Sequence, residues 1–419
     1  MNPRFWKKLH WLLPNIELRR WLLLLLMSAV LLSSETTLFL SKKLSLFLYI
    51  VSLFPTAALF AYSYYRVIRF VYSEFQVVES GEVAKFYPSR HFDVNPRLVV
   101  IGGGTGLATL LRGIKKYARL YDEQNVSAVV SVMDDGGSSG RLRNELNILP
   151  PGDIRNCLVS LAREETMMAE LFKYRFQGEG ELGGHSFGNL FIAALTAITG
   201  DFERAVEEST KILAVKGSIL PATLSSHALV AEKNDGSIVK GESDISATPG
   251  KEIKRIFLDP PGANVNRKVL QAISEADCII FGPGSLFTSV IPNLLVREIR
   301  ETLKESHALK IYICNIMTQP HETDGFTASD HLRVILENLN GARLDYVVIN
   351  SRKGSPEMLA RYAQRGSYPV EVDLDQLNRL DTRIVLGELM AEADYLRHNF
   401  KNLSRLIVNL IVNRMYGKK

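Results

Sequence analysis

The sequence predicts an α/β fold: a doubly wound, mostly parallel sheet with an inserted β-hairpin lobe, preceded by two transmembrane helices. Three observations carry this. Short apolar, β-branched runs such as Leu98-Val99-Val100-Ile101 alternate with helical patterns from residue 97 to the end of the chain. Strands buried on both faces of a parallel sheet read this way. Glycine-rich turns follow several of these runs directly, where such sheets bind ligands. Before them, the first 72 residues hold two apolar stretches long enough to cross a bilayer.

The N-terminal segment, residues 1–72, reads as a membrane anchor with spans at about 21–40 and 44–65. Glu35 is the only charge in the first span. Arg4, Lys7, Lys8, Arg19 and Arg20 precede it, and Arg66 and Arg69 follow the second. The short connection carries only Lys42 and Lys43, so both ends of the hairpin are expected to be cytoplasmic. Trp6, Trp11 and Trp21 at the start and Tyr62, Tyr64 and Tyr65 at the end supply interfacial anchors on that same face. A cleaved signal peptide is disfavoured because a second apolar run follows at once; the other rival is an interfacial or re-entrant first run, since Glu35 shortens it. The expected location is the inner (plasma) membrane with the main domain in the cytoplasm.

Residues 73–96 read as a charged link that ends in Asn95-Pro96, an extended lead into the first strand. The chain carries 50 Lys+Arg against 45 Asp+Glu, a net charge of +5, too mild for a nucleic-acid partner. Cys157, Cys278 and Cys314 lie in apolar or helix-like surroundings and read as core thiols in a reducing compartment. A hairpin around Asn234-Asp235-Gly236 marks an inserted lobe at about residues 216–259, and residues 395–416 form a last helix packed on the core.

The candidate site is a set of strand-end turns. Gly102 to Gly106 lead from the first strand into a helix, presenting free amides to an anion at the helix N-terminus. Leu107 stands where GxGxxG needs glycine, and no GK[ST] is present, so an ordinary NAD site or P-loop is disfavoured. The next strand ends in Asp134-Asp135-Gly136-Gly137-Ser138-Ser139-Gly140-Arg141: two carboxylates, two hydroxyls and a cation at one turn. Gly152-Asp153, Gly184-His185-Ser186 with Asn189, Gly282-Pro283-Gly284-Ser285, and the polar run from Asn315 through Thr318 to Phe326 complete the set. Asp153 read alone is equally a helix N-cap, and His185 alone is more often structural. Without HxxxH or CxxC spacing, zinc is improbable, whereas carboxylates beside phosphate-binding turns suit Mg²⁺.

The segments GGGTGLATLLRGIK, SVMDDGGSSGRLR, PPGDIRNCLVSLA, GHSFGNLF, GPGSLFTSVIPNLL and CNIMTQPHETDGF resemble the YvcK-type gluconeogenesis factors, relatives of the 2-phospho-L-lactate transferase CofD. The resemblance spans about residues 97–398 and implies a Rossmann-like fold. It implies binding of UDP-sugars such as UDP-N-acetylglucosamine, with a part in carbon metabolism, cell shape and cell-wall synthesis. Carried over, Gly103, Gly104, Thr105 and Gly106 would cradle phosphates. Asp134, Asp135 and Asp153 match the transferase's acids, catalytic if there is turnover, with Asp135 and Asp153 the Mg²⁺ ligands. Asn189, Asn315 and Thr318 are the expected base, ribose or sugar contacts, with Ser138, Ser139, Arg141, His185, Ser186, Gly282, Gly284 and Ser285 filling out the ligand site. The GGSSGRLRNE loop and the IRN after Asp153 follow the YvcK branch and depart from the transferase. A ligand-binding regulator is therefore expected first, and a Mg²⁺-dependent transferase acting on a nucleotide diphosphate-linked donor second. Homo-oligomers are expected.

Overall fold

The fold is given by a computed structural model, which describes residues 16–71, 75–79, 82–86, 96–117, 125–162, 167–250, 252–392 and 395–416. The expected anchors Arg4, Trp6, Lys7, Lys8 and Trp11 lie outside the described residues, as do the side chains of Arg19 and Arg69. The chain forms two units, a helical hairpin and a sheet domain.

In the hairpin, α1 (Ile16–Leu40) and α2 (Leu46–Val71) pack side by side. Stretches of 21 and 22 residues within them are long and apolar enough to cross a membrane. Leu23, Met27, Phe47 and Phe54 are exposed, as lipid-facing side chains would be. Glu35 is accommodated by a partner: Thr56 Oγ1 donates to its Oε2 at 3.0 Å. A carboxylate set against an apolar helix pair needs such a partner. At the other end, Trp21 and Tyr62 meet edge to face at 5.4 Å, and the Arg66 guanidinium lies 4.5 Å from the Trp21 ring centre.

The sheet domain is built on seven parallel strands. In chain order these are β3 (Leu98–Gly102), β4 (Val126–Val130), β5 (Ser218–Pro221), β9 (Cys278–Phe281), β10 (Leu309–Ile313), β11 (Tyr346–Asn350) and β12 (Arg383–Gly387). Across the sheet the order is β12-β11-β10-β9-β3-β4-β5. The chain thus starts in the middle, winds outward through β4 and β5, returns beside β3 and winds the other way. β3 and β9 flank the point where winding reverses, the ligand crevice of doubly wound sheets. Every residue of β3, β9 and β10 is buried. At about 2 kcal/mol for each fully buried aliphatic side chain, these central strands are a rigid platform for the loops at their carboxyl ends.

The expected link is partly strand. β1 (Phe75–Glu79) pairs antiparallel with β12, and β2 (Glu82–Phe86) extends that edge. Residues 72–74, 80–81 and 87–95 lie outside the described residues. The lobe is smaller than expected, because β5 belongs to the main sheet. It consists of β6 (Ala228–Lys233), β7 (Ile238–Lys240) and β8 (Ile253–Asp259) in the order β7-β6-β8, with the short helix Glu242–Ala247 between β7 and β8. The C-terminal region opens with a small hairpin, β13 (Met390–Glu392) with β14 (Leu396–His398), before its helix, Phe400–Tyr416. That helix buries Leu403, Leu406, Ile407, Leu410 and Ile411 against the helix after β3, so the expected packing on the core holds. All three cysteines are free and buried.

Candidate functional site

The helix after β3, α3 (Gly104–Tyr117), and the turn after β9 face each other across the switch point. The contact is backbone on backbone. A Cβ on Gly106 would overlap the Pro283 carbonyl oxygen and come within 2.8 Å of its carbon, so only glycine lets the two turns meet. Asn293, fully buried, ties them further by donating to the carbonyls of Gly102 at 3.3 Å and Ser289 at 2.8 Å.

Asp153 opens the helix α5 (Gly152–Leu161), and its Oδ2 accepts the Gly104 amide at 2.7 Å. A Cβ on the adjacent Gly103 would sit 2.6 Å from that oxygen. The amide expected to greet a phosphate is therefore already engaged by an acid of the protein. Burial raises the Asp153 carboxyl to about 6, reinforced by the nearby charge of Asp134 and opposed chiefly by the Gly104 amide. Asp134 lies alongside: its Oδ1 accepts the Gly136 amide at 3.0 Å, and its Oδ2 faces Gly152.

Asp135 does something different from its neighbour. Both its oxygens accept backbone amides of the lobe's short helix, Glu242 N at 3.0 Å and Ser243 N at 2.9 Å. Glu322 secures the same helix near its other end, accepting from Ser246 Oγ at 2.7 Å and from Ser285 Oγ at 2.5 Å. Two carboxylates thus dock the lobe onto the rim. Docking brings Glu242 into the crevice, where burial and then Asp153, Asp134, Glu322 and Asp135 push its carboxyl well above the usual range. Burial likewise raises Glu322. Replacing Asp135 with alanine is expected to lower stability by about 1–2 kcal/mol, since two charge-assisted hydrogen bonds are lost. Amide exchange should accelerate across residues 242–247, and unchanged protection there would refute the docking role.

On the far side, α4 (Gly137–Leu146) and α7 (Phe187–Thr199), which follows the short α6 (Met167–Lys173), share a buried polar network. Ser138 Oγ lies 3.0 Å from His185 Nδ1 and accepts from Asn189 Nδ2 at 3.0 Å. Ser186 caps α7 and accepts Arg155 Nη1 at 2.5 Å, while Arg155 Nη2 reaches Asn156 Oδ1 at 2.8 Å. Asn156 in turn bonds the Asp153 side chain. One chain of hydrogen bonds therefore runs from the Gly104 amide to His185. Burial holds the His185 imidazole below its ordinary value, and Asn189 Oδ1 is buried without a partner.

The structure thus gathers Gly103, Gly104, Gly106, Asp134, Asp135, Ser138, Ser139, Asp153, His185, Ser186, Asn189, Gly282, Gly284 and Ser285 around one crevice. Thr105 is exposed on the first turn of α3. Arg141 turns to the Glu181 carbonyl at 3.3 Å. Asn315 and Thr318 bond within and beside their own loop. Asn315 Nδ2 donates to Gln319 Oε1, and the buried Thr318 hydroxyl accepts the Tyr368 amide at 2.9 Å. Glu242, Glu322 and Arg155 were not anticipated; the charged residues inside the PPGDIRN and QPHETDG motifs were the signal for the last two. A Mg²⁺ ion needs carboxylate oxygens left open. Asp135 spends one acceptor site of each oxygen on the lobe, and among the described residues no group of three or more His, Cys, Asp or Glu side chains is placed to hold a metal.

A parallel sheet that reverses its winding between β3 and β9, with glycine turns on both sides of that point, places the protein in the Rossmann-like class of doubly wound α/β folds. The chain belongs to the 2-phospho-L-lactate transferase CofD family, whose profile matches residues 98–390. A Bacillus subtilis protein named gluconeogenesis factor is 43% identical over 317 residues, 75% of this chain and 98% of that one. A relative from Clostridium acetobutylicum named in the same terms is 38% identical over 431 residues, 99% of this chain and 94% of its own. That alignment takes in the N-terminal apolar helices. The crystal structure of a upf0052 family member from Bacillus halodurans covers 75% of this chain and 99% of its own, at 47% identity and a TM-score of 0.72.

Proposed function

We propose that the crevice binds a nucleotide diphosphate sugar of the UDP-N-acetylglucosamine type. In this reading the protein acts as a regulator of carbon metabolism, cell shape and cell-wall synthesis, held at the inner face of the plasma membrane by its hairpin. The observation that carries the reading is the meeting of the Gly103–Gly106 and Gly282–Ser285 turns at the switch point. Dinucleotides and nucleotides bind doubly wound sheets at such points. The names of the relatives, gluconeogenesis factors, supply the link to carbon metabolism. The crevice favours binding over turnover, because Asp135 and Glu322 are committed to docking the lobe. Fold kinship alone carries no chemistry.

Calorimetry of the full chain in detergent micelles with UDP-N-acetylglucosamine, with and without Mg²⁺, tests this. Saturable binding is expected, with the ligand intact by chromatography after prolonged incubation. Release of UMP or UDP that disappears in Asp134→Asn would make the protein a transferase or hydrolase instead. A C-terminal reporter active only outside the cytoplasm would reverse the assigned topology.

A further inference from the structure

Three guanidinium groups converge on one short loop beside the crevice. Arg141 donates to the Glu181 carbonyl at 3.3 Å, Arg175 to the Gly184 carbonyl, and Arg155 to Ser186 Oγ at 2.5 Å. The loop they hold, residues 181–186, leads into the N-terminus of α7, a 13-residue helix whose cap is Ser186. Every one of these hydrogen bonds goes to a neutral oxygen, and among the described residues none of the three arginines forms an ion pair. Asp153 and Asp134 lie near enough to favour the Arg155 charge, yet burial and the repulsion of Arg175 outweigh them and hold its guanidinium below its ordinary value. His185, between Arg141 and Arg175, is likewise held down, by burial and then by these cations, with Glu145 opposing. Like charges assembled with only neutral acceptors are costly in the empty state and favourable once an anion sits among them.

The first glycine turn makes a poor alternative for that anion, because Asp153 already occupies the Gly104 amide and Glu242 and Asp134 line the same side. The crevice therefore has an acidic flank and a cationic flank, joined through Arg155 and Asp153 on one helix. Planar guanidinium forks match phosphate oxygens in pairs, and the positive end of α7 adds to their field.

We propose that Arg141, Arg155 and Arg175, at the N-terminus of α7, form the subsite that holds a phosphoryl group of the ligand, with the acidic flank left to its hydroxyl-bearing part. This rests on the reading of the crevice as a site for a phosphorylated ligand. It assigns the phosphate to arginines rather than to the glycine turn.

The test is calorimetry of the full chain in detergent micelles at low salt, with pyrophosphate and with UDP-N-acetylglucosamine as probes. Arg175→Gln removes an exposed cation and should weaken pyrophosphate binding severalfold. The Arg155→Gln/Arg175→Gln pair should weaken it by about tenfold to a hundredfold, while Arg204→Gln on the exposed face of the next helix leaves it unchanged. Circular dichroism melting confirms that Arg175→Gln remains folded, so loss of binding in that variant cannot be ascribed to unfolding. Pyrophosphate binding that is lost in the variants supports the subsite even if the nucleotide sugar fails to bind, an outcome that would remove only the nucleotide-sugar reading. Nucleotide-sugar binding of equal strength in wild type and both variants overturns the subsite and leaves that reading standing. A wild-type protein that binds neither probe overturns both.

Discussion

Alanine at Gly106 is expected to lower the stability of the sheet domain by about 2–3 kcal/mol and to abolish ligand binding. The added methyl group would overlap the Pro283 carbonyl and press on the Gly284 amide at 3.0 Å, and both are backbone atoms that cannot swing aside as a side chain could. Overpacking of this kind forces backbone shifts that cost about 1–3 kcal/mol. The displaced turn is the one that positions Ser285, whose hydroxyl donates to Glu322, which in turn accepts from the lobe at Ser246. A shift at Gly106 should therefore reach the lobe as well as the ligand. Thr105→Ala is the matched control: its side chain is exposed, so stability should change by no more than about 0.5 kcal/mol. Thermal melting and ligand calorimetry on both variants decide the matter. A Gly106→Ala protein that melts with the wild type would mean that the two turns do not meet as described.

The contrast between those neighbours bears on how much of the molecule could be read from its residues. Central strands were legible because burial on both faces leaves only apolar, β-branched choices at Leu98–Ile101 and Cys278–Phe281. The turns at their ends were legible for a related reason, since close backbone approach selects glycine. Strands β1 and β2 were not, because an edge pair of five residues each carries charges freely and shows no apolar run. Nor were β13 and β14, where three residues give no period to detect. At the site, residue types were easier to see than their duties. Asp134 and Asp135 are adjacent and chemically identical, yet one faces the crevice and the other anchors a helix more than a hundred positions away. Glu242 sits in a lobe whose local pattern speaks only of a hairpin, and nothing short of tertiary docking brings it among Asp134 and Asp153.

Asp153→Asn should stabilise the protein at neutral pH while impairing its ligand site, and the gain should vanish on acidification. The argument follows from the raised carboxyl. Folding lifts it from 3.8 to about 6, chiefly by burial, so between those values the folded chain holds a proton that the unfolded chain has released. Stability then falls as pH rises from about 4 to about 6 and stays at the lower level above it. Two units would correspond to nearly 3 kcal/mol at most; the Asp153 side chain keeps some solvent exposure, so about 2 kcal/mol is the expected cost at pH 7.5. Asparagine carries no such charge, and its side-chain oxygen can still accept the Gly104 amide. Wild type and variant should thus differ by about 2 kcal/mol in urea unfolding at pH 7.5 and converge near pH 4. The opposite slope, with the variant losing ground as pH rises, would show that Asp153 gains more from its partners Gly104 and Asn156 than burial takes away. A carboxylate retained at such expense beside the switch point belongs with groups kept for what they bind, and the variant's weakened affinity for ligand is the second half of the same measurement.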